Sequence, residues 1–165
     1  MKFLKIFILV LILGAGTAHA QFTKAELQVS GLTCSMCSKA TEKALRTLEF
    51  VGDIKADLNR NVFMITFKSG SPVNLGQISK KVQNAGFSVN NLKATFNFSG
   101  VKLNSNSFSY QGDTYMVVNG VNKPLAGPVA VTVVDKGFAP SSVYKKYAGQ
   151  NPEGVKTGKL YRIVI

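Results

Sequence analysis

The sequence predicts an α+β protein. A ferredoxin-like β-α-β-β-α-β sandwich is expected over residues 21–95, followed by a small mainly-β barrel or sandwich domain over residues 96–165. Three observations carry this. In residues 22–95 apolar positions alternate with period two in four segments and recur with helical spacing in two others. Their order is the split β-α-β pattern, in which both helices cover one face of a four-stranded antiparallel sheet. Beyond residue 95 the chain turns rich in Gly, Asn, Ser, Val and Tyr, and short strand-like runs alternate with turn residues. A length of 165 residues suits one medium or two small domains. With 45% hydrophobic and 17% charged residues, a disordered or collagen-like chain is excluded.

Residues 1–20 read as a signal peptide. Lys2 and Lys5 form a positive start, Ile6 to Leu13 is a purely apolar run, and Ala18-His19-Ala20 is an A-x-A cleavage site before Gln21. The run is too short to span a bilayer, which takes about 20 residues. Cleavage removes Lys2, Lys5 and His19 and leaves 18 basic against 8 acidic residues, a net charge of +10. The mature chain then holds no histidine, so the usual neutral-pH proton shuttle and the commonest metal-binding imidazole are both absent. No Ser/His/Asp or Cys/His catalytic set is available, and the chain is expected not to be an enzyme. Export, to the periplasm or outside the cell, also puts both cysteines in an oxidising compartment.

The mature elements follow in order. Ala25, Leu27 and Val29 alternate with polar residues, which predicts a strand that Gly31 ends. Cys37, Ala40, Ala44, Leu45, Leu48 and Val51 fall on one helical face. Ile54, Ala56 and Leu58 alternate, Asn59-Arg60-Asn61 turns, and Phe63, Ile65 and Phe67 alternate again, which is a hairpin. Asn74 with Gln77 three residues on resembles a capping box. Leu75, Ile78, Val82 and Ala85 form the next helical face, stopped by Gly86, and Phe87 and Val89 open the fourth strand. Later strands are expected at Phe108–Tyr110, Thr114–Val118, Val129–Val134 and Leu160–Ile165, with a short helix from Pro140 to Ala148. Met116, in an apolar run, is expected in the core.

Both cysteines lie in Gly31-Leu32-Thr33-Cys34-Ser35-Met36-Cys37, between the first strand and the first helix. Two thiols two residues apart can face one ion. Cys37 falls in the first helical turn, where free N–H groups and the helix dipole favour thiolate, the metal-binding form. Cys34 and Cys37 are thus the candidate metal ligands. Two soft thiolates without histidine best suit Cu(I), and also accept Zn(II) or Hg(II). Met36 reads as a solvent-side residue rather than a third, thioether ligand. A disulfide between the two cysteines would abolish binding until reduced.

The GLTCSMC loop after strand one, with Ala85-Gly86-Phe87 after helix two, resembles the heavy-metal-associated domain family of copper chaperones and the periplasmic mercury-binding protein. Leu32 stands where that family usually has Met, and Phe87 where it often has Lys or Tyr. The resemblance covers about 75 residues, judged from where the element order stops fitting. It implies metal trafficking or detoxification, with a transporter or efflux component as the receiving partner. Two readings from other classes stand beside it. One is an exported adhesion or assembly protein acting through residues 96–165. The other is a thiol-disulfide oxidoreductase, although Ser35-Met36 differs from the Gly-Pro or Pro-His pairs of thioredoxin-like motifs. The lysines are scattered without interleaved aromatics, so nucleic acid is not an expected partner; the diffuse basic surface leaves membrane association open.

Overall fold

A computed structural model describes residues 21–121, 124–151 and 158–165. The expected signal peptide lies outside them. Eleven elements follow one another: β1 (Gln21–Ser30), α1 (Ser35–Arg46), β2 (Val51–Asp57), β3 (Val62–Phe67), α2 (Leu75–Asn84), β4 (Ser88–Asn97), β5 (Ser107–Tyr110), β6 (Asp113–Val117), β7 (Pro128–Val133), α3 (Ser141–Tyr147) and β8 (Leu160–Val164). The first six give the expected β-α-β-β-α-β order. No described helix is long and apolar enough to cross a membrane.

The strands form one sheet in the order β2-β3-β1-β4-β7-β8-β6-β5. Its first four strands are antiparallel neighbours, as in the ferredoxin-like sandwich. Leu27, Phe63, Ile65 and Leu92 point from them into the core, against Leu45 of α1 and Leu75, Ile78 and Val82 of α2. Both helices bury one stripe, as their periodicity requires. Asn74 caps α2 by accepting the Gln77 N–H at 3.1 Å, and Gly86, at φ +87°, takes the left-handed conformation that ends it.

Two local expectations change. Val51 opens β2 instead of closing the helical face of α1, which stops at Arg46. Within β2 only Val51 and Ile54 are buried, because a bulge between Val51 and Asp53 breaks the alternation; Leu58 lies in the exposed turn.

The mainly-β part is present as strands added to the same sheet. β7 pairs antiparallel along β4 from Lys93–Thr132 to Asn97–Pro128. Pro128 sits at the first position of β7, where its missing N–H disturbs the ladder least. β8 joins β7, and β6 runs parallel to β8. β5 closes the row through a two-residue turn, Gln111 and Gly112, both at positive φ as a type I′ turn requires. The junction expected near residue 95 falls inside β4.

The sheet coils. β5 stands five strands away from β1, a span of roughly 24 Å in a flat sheet. Yet the rings of Phe22 on β1 and Tyr110 on β5 are 5.3 Å apart, and those of Phe96 on β4 and Phe108 on β5 are 4.8 Å apart. Strands β4 to β5 therefore curl over like an open barrel, with Phe22, Phe96, Phe98, Phe108, Tyr115 and Tyr161 filling the hollow. Bulges between β1 and β4, at Phe22/Lys24 and Gln28/Val29, add the local twist that such coiling needs. Tyr115 and Val117 take the inward positions of β6, so Met116 is only half-buried, contrary to expectation.

The curl also brings β8 and its neighbours against α2. Buried Ser79 donates to the Gly137 carbonyl at 2.7 Å, and the Val73 N–H donates to the Tyr110 hydroxyl at 3.2 Å. Behind them, the buried Arg162 guanidinium pairs with Asp135 at 2.7 Å. It also donates to the Gln150 and Ala148 carbonyls, at 2.7 and 3.1 Å, which fastens the end of α3 to the sheet.

Candidate metal centre

The cysteine loop hangs between the central strand β1 and the start of α1. Gly31 leaves the strand at φ +90°, a conformation that a side chain would strain, and Phe87 lies against it, 3.5 Å from where a Cβ would stand. Leu32 turns inward and is buried, as a side chain under the loop must be. Cys34 is the N-cap of α1, with extended backbone (φ −148°), and its Sγ accepts the Cys37 N–H at 3.3 Å. A cap is usually an oxygen from Ser, Thr, Asp or Asn. Here sulfur takes that place, and no acidic residue in the first turn competes for the positive end of the helix.

The two Sγ atoms are 2.6 Å apart and the cysteines are not bonded as a disulfide. Cys34 is exposed, while Cys37 is half-buried against the core. Its carbonyl accepts the buried Thr41 hydroxyl at 3.1 Å, which steadies the first turn. The hydrogen bond from the Cys37 thiol, then the Cys37 backbone N–H, holds the Cys34 thiol below the ordinary thiol range. The same bond, followed by desolvation and the charge on Cys34, pushes the Cys37 thiol up. This corrects one detail of the sequence reading. The thiol that is lowered is that of the cap, Cys34, chiefly through the hydrogen bond from Cys37, and not that of Cys37 in the first turn. Of the two thiols, Cys34 is therefore the first to lose its proton.

Two thiolates on one ion stand further apart than this. Two Zn–S bonds of about 2.3 Å at the tetrahedral angle place the sulfurs about 3.8 Å apart. An ion held by both thiolates would require the pair to open by about an ångström, and of the two side chains that of Cys34 faces water. Met36 is 73% exposed and points to solvent, as expected. Among the described residues no group of three or more His, Cys, Asp or Glu side chains gathers to hold a metal. The capping role of Cys34 went unread in the sequence. Its signal is there: Cys34 directly precedes the first helical turn, where a capping side chain belongs.

Residues 26–88 match the family model for the heavy-metal-associated domain. This segment is a heavy-metal-associated domain. Over 70 residues, 42% of this chain, the sequence is 36% identical to Copper-transporting ATPase 1 of Rhizobium meliloti (strain 1021). The chain spans 8% of the length of that relative. Among solved structures, the CopZ metallochaperone is 22% identical, with a TM-score of 0.38, over 41% of this chain and 98% of that one. Oxidized MerP from Ralstonia metallidurans CH34 is 25% identical, with a TM-score of 0.36, over 43% of this chain and 97% of that one. The heavy-metal-associated domain contains Cys34 and Cys37 and ends at the start of β4. The strands beyond it belong to no part of the family match.

Proposed function

We propose that this protein is an exported carrier of a soft metal ion, Cu(I) ahead of Hg(II) and Zn(II), held by Cys34 and Cys37. One observation supports it above all: two thiols in contact at a helix N-terminus, one of them held below the ordinary thiol range, in an exposed loop on a rigid sheet. Membership of residues 26–88 in the heavy-metal-associated family agrees with it, as does the copper-transport name of the curated relative. Export rests on the charged, apolar and A-x-A pattern of residues 1–20.

Delivery would run by ligand exchange. The bound ion starts on two thiolates, the Cys37 proton having left on loading. A thiolate of the receiver, a transporter or efflux component, adds to the ion to give a three-coordinate intermediate. One cysteine then departs and takes up a proton. Exposed Cys34 is the entry and exit ligand, and half-buried Cys37 is the anchor. Loops on rigid scaffolds suit such exchange.

Titration of the reduced mature chain with Cu(I) against a chromophoric chelator tests this. One ion per chain is expected. Cys34→Ser and Cys37→Ser should each weaken binding beyond the 10–100-fold typical of losing an outer-shell partner, on the order of 100-fold or more. Equal affinity in the parent and the Cys34→Ser/Cys37→Ser double variant would show that the ion binds elsewhere. Fast turnover of a model disulfide by the metal-free dithiol would favour the oxidoreductase reading instead.

A further inference from the structure

Gln21 is the residue on which the exported chain would begin. The A-x-A pattern of Ala18-His19-Ala20 puts the cut directly before it. The fold agrees with a cut at that place. β1 starts at Gln21 itself, and the next residue, Phe22, is 1% exposed in the core. Cleavage there takes nothing from the core, and trimming one residue further would reach it. The start of the strand is also fixed, because Gln21 stands opposite Asn97 of β4 in the ladder.

A glutamine in first position carries its own electrophile. Its α-amine can add to its side-chain amide carbon and close a small lactam ring. The side chain is held for this. Its Oε1 accepts the Gly70 N–H, from the turn after β3, at 3.0 Å. That oxygen is the one that gathers negative charge when an amine adds to the amide carbon. A donor already placed on it stabilises the adduct, as at any oxyanion site.

We propose that the mature N-terminus is a modification site, at which Gln21 closes on itself to a pyroglutamyl residue. The neutral α-amine attacks the side-chain amide carbon, a new C–N bond forms, and the bond from that carbon to Nε2 breaks. Nε2 leaves as ammonia, carrying one of the two amine protons, and the ring nitrogen keeps the other. The Gln21 Oε1 becomes the lactam oxygen. No oxidant, reductant or further reactant enters.

Closure matters for the metal site. The mature chain holds no histidine, so its open α-amine, at about 8, is its one nitrogen base that titrates near neutral pH. A lactam nitrogen is not basic. Closure therefore leaves Cys34 and Cys37 without an amine that competes for the ion. The two places are independent, since the cysteine loop follows the other end of β1, about 30 Å along the strand.

Closure rests on the export reading, and the two fail differently. The full chain is expressed in a secreting host, and the exported protein is weighed intact and sequenced from its N-terminus by tandem mass spectrometry. The expected mass is that of residues 21–165 less one ammonia, with residue 21 blocked. A chain that keeps residues 1–20 would overturn export and closure together. A chain that starts at an open Gln21 would overturn closure alone. Gln21→Ala, which lacks the side-chain carbonyl, should lose no ammonia, and the same loss there would place the reaction on another residue. A second measurement addresses Gly70. The chain released by a specific protease with an open Gln21 should close several-fold faster than a peptide of residues 21–28 under the same conditions, the effect of one hydrogen bond. Equal or slower closure in the folded chain would overturn the part given to the Gly70 N–H.

Discussion

Replacing Phe96 by Ala tests whether the coiled sheet is one cooperative body. Phe96 is fully buried on β4, the fourth strand of the ferredoxin-like sandwich and the one along which the added strands pair. Its ring packs on Phe22 at 4.8 Å, Phe98 at 4.9 Å, Phe108 at 4.8 Å and Tyr110 at 5.3 Å, so strands from both halves lose a neighbour at once. Truncating a buried Phe to Ala costs about 3–5 kcal/mol. Four aromatic partners place Phe96 towards the upper end, because each such pair adds to plain area burial. A loss of about 4 kcal/mol moves the urea midpoint down by roughly 2 M and the melting temperature by about 12 °C. The chain offers two probes that report on different halves. All five tyrosines lie between residues 110 and 161, and there is no tryptophan, so tyrosine emission follows the added strands. Helical circular dichroism follows mainly α1 and α2, with 22 of the helical residues against seven in α3. Both transitions should shift together by the same amount. A tyrosine transition that moves while the helical one stays would refute the single body, and with it the role given to β4.

Arg162→Met should cost about 3–5 kcal/mol in urea unfolding, because it leaves the Asp135 carboxylate buried without a countercharge, held only by the backbone N–H of residue 162. Adding Asp135→Leu should recover at least half of that loss; no recovery would mean that the ties to α3 matter more than the ion pair. Cys34, whose thiol is lowered by its hydrogen bond from Cys37, should alkylate at a lower pH than Cys37, as mass spectrometry of the labelled chain will show. Because the raised Cys37 proton must leave on loading, metal affinity should fall as the pH falls, and Cys37→Ser should flatten that dependence. Burial pushes the Tyr161 hydroxyl up to about 12, so the fold favours its protonated form. The corresponding stability is present below the unfolded value of about 10 and is lost as the pH rises towards 12. Tyr161→Phe should reduce this alkaline destabilisation, measured by circular dichroism against pH; an unchanged profile would assign it to other groups such as Tyr115.

The residues that form the sandwich announce themselves locally. Leu27, Phe63 and Ile65 alternate, while Leu75, Ile78 and Val82 recur at helical spacing, and each pattern has one physical solution. The dithiol loop was equally plain, since strand, glycine, cysteines and helix follow one another within a few residues. What stayed hidden depends on partners far along the chain. Lys93–Asn97 reads as an ordinary strand end, and nothing local says that Thr132–Pro128 pairs with it. Asp135 and Arg162 are 27 residues apart and each reads as a surface charge. Tyr161 and Gly76 are unremarkable alone, and only the coiling of the sheet sets one against the other. The division of roles between the two thiols was likewise out of reach, because it turns on which of them caps α1.

The pairing of β7 along β4 has a practical consequence for anyone dissecting the protein. Strands at the rim of a sheet invite pairing with other chains, and in the whole molecule the two rims are β2 and β5. Cutting the chain after β4 would make β4 a rim in place of β5 and strip Phe22 of Tyr110 and Tyr115, with Ala94 also losing its partner on β7. A fragment made to isolate the dithiol would therefore be prone to self-association. Its metal stoichiometry would be read on aggregates, and the intact mature chain is the safer object of study.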